Sequence, residues 1–144
     1  MSTRYQPLMP AAFSIDVEPA LHLVRMTMKG FFEPADIARF VAARDLAHQR
    51  LLSPPNGHVT LVDITAMDIQ SQDAVAEFHA VLASPATASR RIAFVVALSL
   101  AFGQVRRAAR GRDAAFFTTV HDAERWLFDI EPASSTKPAS AAIG

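Results

Sequence analysis

Two stretches near the start of the sequence carry apolar residues at alternate positions along one strand face. The first covers residues 13–17, and the second covers residues 21–29. An apolar–polar period of two residues predicts strands with one buried face. Because only a short link through Pro19-Ala20 joins the two stretches, we predict an antiparallel hairpin that ends at Gly30.

Two mostly apolar runs carry hydrophobic side chains on both faces. They cover residues 58–64 and 91–97, and Thr60 interrupts the first with a polar side chain. Strands of this composition are typical of the centre of a parallel sheet that is covered by helices. We therefore predict that both runs are middle strands, and that residues 114–118 form a shorter strand.

Helical spacing of apolar residues separates these strands. After Pro34 apolar residues recur at intervals of three and four, and similar patterns follow Ser71 and span residues 100–110. A fourth helix follows Thr118 or Thr119, either of which can cap it. The predicted order is β-β-α-β-α-β-α-β-α. Strands joined through helices require crossover connections, so we predict an α/β sandwich: a mostly parallel central sheet of about five strands, an N-terminal β-hairpin and four helices.

Length and terminal composition define the predicted domain organisation. The chain has 144 residues, which fits one domain, and we assign this domain to residues 13–130. Residues 1–12 contain two prolines and no periodicity, so we predict a flexible N-terminal arm. Residues 131–144 are low in complexity, so we predict a disordered C-terminal tail.

Composition and charge restrict the classes of function. Hydrophobic residues make up 51% of the chain and charged residues 19%, which favours a folded domain with few surface charges and leads us to expect a homodimer. The formal net charge is zero, so bulk electrostatics give no reason to expect nucleic acid as a partner. The longest apolar run is too short to span a membrane and no signal-peptide pattern is present, so we expect a cytoplasmic protein.

Residues that carry most enzyme chemistry are absent or scattered. The chain has no cysteine, which excludes disulfides, thiolate metal sites and thiol nucleophiles. Its five histidines have no metal-binding spacing, and it has no nucleophile elbow, Walker loop or dinucleotide fingerprint. The acidic residues Asp63, Asp68, Asp73 and Glu77 match no calcium loop. We therefore predict no catalytic site, no metal site and no cofactor.

Several short motifs, taken in their order along the chain, carry a resemblance to a known family. They lie at residues 23–31, 61–64, 91–96, 104–107, 116–118 and 123–127. In this order the sequence resembles the SpoIIAA-like proteins of the STAS superfamily, which are also described as STAS/SEC14-like. The resemblance implies a small α/β sandwich that acts by binding.

Ser71 lies at the start of the helix that follows the third predicted strand. A serine here is a natural N-cap, because its oxygen accepts a hydrogen bond from the first helical turn. In anti-sigma-factor antagonists of the STAS superfamily a serine in this region is phosphorylated, so the resemblance makes Ser71 a candidate phospho-acceptor. The Asp-Ser-Ser/Thr-Gly run that usually surrounds that serine is absent here.

Three arginines form a second candidate site. Arg106, Arg107 and Arg110 share one face of the helix predicted over residues 100–110. They form either a solvated face or a site for an anion or an acidic protein partner, since guanidinium groups suit carboxylates and phosphates.

Two polar residues fall on the apolar stripe of the first helix. Arg44 and His48 share that stripe with Phe40. Either Arg44 extends its charge to water and His48 lies at the helix end, or both residues line a pocket beneath the helix. Met26, on the second strand, would border the same pocket, although a methionine at this place is also typical of a core.

Two hypotheses of function follow from these patterns. The first is a non-enzymatic STAS-like regulatory or protein-binding module that acts on an unknown protein partner. The second is a carrier or sensor of a small apolar ligand, which the apolar composition and the positions of Arg44 and His48 favour.

Overall fold

The computed structural model describes residues 9–54, 56–84, 88–97, 100–111 and 113–129. The described strands are β1 (Ala12–Glu18), β2 (Leu23–Gly30), β3 (Val59–Met67), β4 (Arg91–Val95) and β5 (Ala114–Phe117). The described helices are α1 (Pro34–His48), α2 (Gln72–Ala83), α3 (Leu100–Ala108) and α4 (Val120–Leu127). They follow one another in the predicted order.

The five strands form one sheet in the order β1-β2-β3-β4-β5. β1 pairs with β2 in antiparallel orientation, and the other neighbours pair in parallel. The prediction of a mostly parallel five-stranded sheet with an N-terminal hairpin and four helices is therefore confirmed. The two apolar runs form β3 and β4, and both lie inside the sheet, where helices bury both of their faces.

The sheet face beneath α4 is closely packed with small and medium-sized side chains. α4 packs directly on β3, β4 and β5. Its inward residues, Ala123 and Leu127, are fully buried and meet Leu61, Ala93 and Val95 of the sheet. Small residues allow the helix axis to approach the sheet, so this layer has little spare volume.

The opposite face of the sheet is covered by α1, α2 and α3, and it is packed less tightly. α1 packs on β1, whereas α2 packs chiefly on α3 and α1 rather than directly on the strands. The aromatic rings of Phe32, Phe40 and Phe78 fill part of this layer through edge-to-face contacts. α2 and α3 make few direct contacts with the strands, and a cavity remains between these helices and the sheet.

The N-terminal segment crosses the end of β2 at Gly30. The N–H of Phe31 donates to the carbonyl of Met9 at 2.9 Å, and Pro10 forms a bridge with Phe31. Residues 1–8 of the predicted flexible arm lie outside the described residues, as does the predicted C-terminal tail, residues 131–144. From Met9 onward the chain is bonded to the domain, and β1 begins at Ala12, one residue before the predicted domain boundary.

Gly30 is required where the N-terminal segment crosses β2. Its φ is +80°, and a Cβ at this position would lie 2.3 Å from the carbonyl oxygen of Pro10. We expect Gly30→Ala to lower the free energy of unfolding by about 2 kcal/mol, because it combines a left-handed backbone with a clash against main-chain atoms. Urea denaturation measures this loss.

Two other glycines separate the backbone cost from the clash. Gly111 has a φ of +89°, but a Cβ added there would meet no atom within 4 Å, so Gly111→Ala should cost about 1 kcal/mol. Gly103, in α3, also has open space, so Gly103→Ala should stabilise the helix by about 0.5–1 kcal/mol. Equal losses at Gly30 and Gly111 would contradict the proposed clash.

Candidate ligand-binding cavity

A partly open cavity of about 110 Å³ lies between the sheet and the layer formed by α1, α2 and α3. Its wall is mostly apolar, with Met26, Val62 and Phe94 on the sheet side and Phe40, Phe78 and Val105 on the helix side. An engineered cavity of about 150 Å³ with similar walls holds benzene. The space in this protein is therefore of the size that receives a small apolar group.

The strand β3 forms the floor of the cavity along most of its length. Thr60, Val62 and Ile64 line it, because alternate side chains of a strand point to the same face. Asp68 and Gln70 follow β3 and also belong to the wall. The cavity thus has an apolar middle and a group of polar residues at each end of β3.

At the first end, three buried polar side chains are bonded to each other. The Ser89 hydroxyl lies 2.5 Å from the Thr60 hydroxyl and 3.1 Å from Nε2 of His58. The ring of His58 is 4.8 Å from that of His48, measured between centroids, and the rings meet edge to face. This arrangement joins α1 to the N-terminal ends of β3 and β4.

Both imidazoles at this end are disposed to be neutral. The pKa of His58 is lowered to about 4, chiefly by burial, and the nearby His48 and Arg44 act in the same direction. Burial also lowers the pKa of His48, and the Arg44 guanidinium adds to that effect while Asp45 opposes it. The permanent positive charge at this end therefore belongs to Arg44.

Arg44 and His48 each keep one buried nitrogen without a hydrogen-bond partner among the described residues. These atoms are Nε of Arg44 and Nε2 of His48. The Arg44 side chain is only 11% exposed, and its terminal nitrogen Nη2 donates to Asp45 at 3.1 Å on the solvent side. A buried polar group without a hydrogen-bond partner is costly. A ligand that bonded to these two nitrogens would remove that cost.

The second end of the cavity is closed by two glutamines. Gln70, which is 7% exposed, accepts a hydrogen bond from the N–H of Phe32 at 2.8 Å and donates to the carbonyls of Gly30 and Asp68. Gln104 of α3 forms a reciprocal pair with the Gln70 backbone, with both bonds at 2.7 Å. These bonds fix α3 and the loop after β2 to the end of β3.

The structure places all four residues of the predicted pocket in the wall of this cavity. They are Met26, Phe40, Arg44 and His48. Arg44 does not extend its guanidinium into open water, since its side chain is mostly buried. The geometry therefore brings these residues together beneath α1, and their role in holding a ligand stays a prediction.

Ser71 and the arginine group lie elsewhere. Ser71 is exposed and caps α2, where its hydroxyl accepts a hydrogen bond from the N–H of Ala74 at 3.0 Å. Arg106, Arg107 and Arg110 are exposed on and just after α3, and the Arg106 guanidinium lies 5.6 Å from the ring centre of Phe102. A phospho-acceptor role for Ser71 and an anion-binding role for the arginines stay predictions.

The described part of the chain contains neither a clustered metal site nor a membrane-spanning helix. Its histidine and acidic side chains form no group of three that is placed to hold a metal ion. None of its helices combines the length and the apolar composition needed to cross a membrane.

The sequence did not indicate the polar networks at the two ends of the cavity. Ser89, His58 and Gln104 contact residues that lie about thirty positions away along the chain. One local signal was available for Thr60, because a hydroxyl in a mostly apolar strand needs a buried hydrogen-bond partner. No comparable signal marks Gln70.

Comparison with known proteins supports the fold and does not assign a role. No protein-family model matches the chain, and no curated protein matches it.

The fold is an α/β sandwich. An antiparallel hairpin leads into parallel strands, and helices cover both faces of the sheet. The chain is similar to the crystal structure of an uncharacterized protein of the DUF3478 family with a SpoIIAA-like fold from Shewanella loihica PV-4.

The two structures share their fold over most of their length. The TM-score is 0.61, the sequence identity is 20%, and the match covers 83% of this chain and 96% of the Shewanella chain. The protein therefore has a SpoIIAA-like fold, as the sequence motifs predicted. Because fold does not determine function, the assignment of a role depends on the cavity.

Proposed function

We propose that this protein is a non-enzymatic carrier or sensor that binds a small apolar molecule in the cavity beneath α1, α2 and α3. The observation that supports this proposal is the cavity of about 110 Å³ with apolar walls. Protein interiors are close-packed, and an empty apolar space forfeits dispersion contacts. An apolar ligand would restore those contacts, and it would also be shielded from water.

The chemistry of the polar residues favours binding over catalysis. Ser89 and His58 lie at the distance of a nucleophile and a base, 3.1 Å. However, a general base works best when its pKa is near the working pH. Because the pKa of His58 is lowered to about 4, this imidazole is a weak base, and the network supports a structural role. A non-enzymatic role would be contradicted if the unmodified protein hydrolysed esters and the Ser89→Ala variant did not.

A protein-binding role is the second candidate, and the two faces of α3 favour it. Val105 and Ala108 line the cavity, while Arg106 and Arg107 are exposed. A helix that contacts a ligand on one side can present the bound state to an acidic partner on the other side. If charge reversal at Arg106 and Arg107 left partner binding intact, this surface would be excluded.

The homodimer expected from composition also stays a prediction. Sedimentation measures the oligomeric state.

The same substitution on the two sides of the sheet tests the cavity. Ala108 lies in the cavity wall, whereas Ala123 is fully buried under α4. We expect Ala108→Leu to block the ligand and to stabilise the empty protein by about 1 kcal/mol, because it fills the space. We expect Ala123→Leu to destabilise the protein by about 1–3 kcal/mol, because that layer is close-packed.

Native mass spectrometry and urea denaturation measure the two consequences. A molecule that copurifies with the unmodified protein should be absent from Ala108→Leu. Ala123→Leu, compared under conditions where it is folded, should retain the molecule. Equal destabilisation by the two substitutions, or a copurifying molecule that Ala108→Leu still holds, would contradict binding in this cavity.

A further inference from the structure

The cavity combines an apolar body with one nearly buried cation. Arg44 keeps its charge at every accessible pH, because guanidinium does not lose its proton in proteins. Among the described residues its ion-pair partner is Asp45, which is more than half exposed and lies on the solvent side. An anion that enters the cavity would meet the guanidinium from the inner side, where the charge is poorly screened by water.

Two unpartnered nitrogens lie close to this charge. Nε of Arg44 carries a hydrogen that is committed to no acceptor among the described residues, and Nε2 of His48 is likewise unengaged. Arg44 and His48 are four residues apart on α1, so their side chains lie on the same face of the helix. Both side chains line the cavity, so together they can present two N–H donors to the two oxygens of one carboxylate.

We propose that Arg44 and His48 bind the carboxylate of a small monocarboxylic acid whose hydrocarbon part occupies the apolar cavity. This inference rests on the proposed function and names the class of ligand. The apolar part has about five carbon atoms, because the six carbons of benzene occupy an engineered cavity of about 150 Å³ and this cavity is about 110 Å³. Nε of Arg44 donates to one carboxylate oxygen, and His48, in the tautomer that protonates Nε2, donates to the other.

The opposite end of the cavity supports this orientation. Among the described residues, Asp68 is the acidic residue in the wall, and it lies beyond the apolar middle, next to Gln70 and Gln104. A carboxylate at that end would meet a like charge, whereas at the first end it meets Arg44. The neutral hydrocarbon tail of the acid would therefore point toward Asp68 and its head toward α1.

A set of six-carbon ligands that differ in their polar group tests the proposal. The probes are hexanoate, hexanol and hexylamine, and NMR titration of the methionine methyl groups at neutral pH reports their affinities. The unmodified protein should bind hexanoate roughly tenfold more tightly than hexanol, and hexylamine most weakly, because a charged hydrogen bond adds to the apolar contact.

Substitutions at Arg44 provide the matched variants. Arg44→Met keeps much of the length and the apolar stem of the side chain without its charge, and the fold should tolerate it because the remaining ion-pair partner, Asp45, is more than half exposed and stays solvated. It should weaken hexanoate roughly tenfold or more and change hexanol by less than about twofold. Arg44→Lys, which keeps the charge, should recover part of the loss.

The outcomes separate this inference from the proposed function. Binding of hexanol and hexanoate with equal affinity, or equal weakening of both by Arg44→Met, would overturn the carboxylate while leaving an apolar cavity in place. Failure of every probe to bind would overturn the proposed function itself. Tighter binding of hexyl phosphate than of hexanoate would assign a phosphate ligand and overturn the carboxylate as well.

Discussion

Gln70→Ala is expected to lower the free energy of unfolding by about 3 kcal/mol, although Gln70 is polar and lies outside the secondary structure. Its side chain accepts a hydrogen bond from the N–H of Phe32 and donates hydrogen bonds to the carbonyls of Gly30 and Asp68. Truncation leaves these buried groups without that partner, and each such group costs about 1–3 kcal/mol. Urea denaturation monitored by circular dichroism measures the loss.

Two glutamine substitutions provide controls for that effect. Gln104→Ala removes only the bonds to the Gln70 backbone, so we expect a smaller loss of about 1 kcal/mol. Gln72→Ala, at the exposed start of α2, should change stability by less than about 0.5 kcal/mol. If Gln70→Ala behaved like Gln72→Ala, the closure of this end of the cavity by Gln70 would be wrong.

Acidification is expected to destabilise the protein by about 3 kcal/mol between pH 6.5 and pH 4, through His58. The pKa of His58 is lowered from its ordinary 6.5 to about 4 in the folded protein. Well above pH 6.5 the imidazole is neutral in both states, so this contribution to stability is complete. As pH falls through this window the unfolded chain takes up a proton and the folded protein does not, so stability is lost until pH reaches about 4.

The groups around His58 favour its neutral form and so reinforce the loss of stability at low pH. His48 and Arg44 of α1 face it, and Ser89 holds its Nε2. The lowered pKa of His48 adds a loss of the same sign as pH falls. The pKa of Asp36 is also lowered, chiefly through its bond to the Glu33 backbone, from an ordinary value of 3.8. The stability that Asp36 contributes is therefore lost only below about pH 3.8, outside the window in which His58 titrates.

Two variants assign the pH dependence to its source. His58→Gln should remove most of the change in stability between pH 6.5 and pH 4, because the group that titrates is gone. Thr60→Val removes a hydroxyl from the same network without removing a titratable group, so it should lower stability by a similar amount at both pH values. Urea midpoints across this range measure both, and a His58→Gln variant with the full pH dependence would contradict the assignment.

The fold was accessible to sequence reasoning because its signals are local. A period of two residues marked the hairpin, and continuous apolar runs marked β3 and β4, since strands with two buried faces have no polar side. The caps were also readable: Ser71 accepts from Ala74 and Thr119 from Asp122, as short polar side chains before a helix usually do.

The candidate site was only partly accessible. Arg44 and His48 were notable because helical periodicity placed polar residues on a stripe that faces the core, and both line the cavity. The cavity itself depends on how far α2 and α3 stand from the sheet, which no local pattern encodes. Gln70 and Ser89 acquire their partners only when distant segments meet. Long-range contacts of this kind therefore required the structure.

The position of a bound hexanoate in the protein tests binding in this cavity most directly. Methionine methyl groups report this, because Met26, Met28 and Met67 line the cavity while Met9 is 65% exposed outside it. Nuclear Overhauser effects between the hexanoate chain and labelled methionine methyls locate the ligand. Binding in the cavity predicts contacts to the cavity methionines that disappear in Ala108→Leu. Contacts to Met9 alone, or contacts that persist in Ala108→Leu, would contradict binding there.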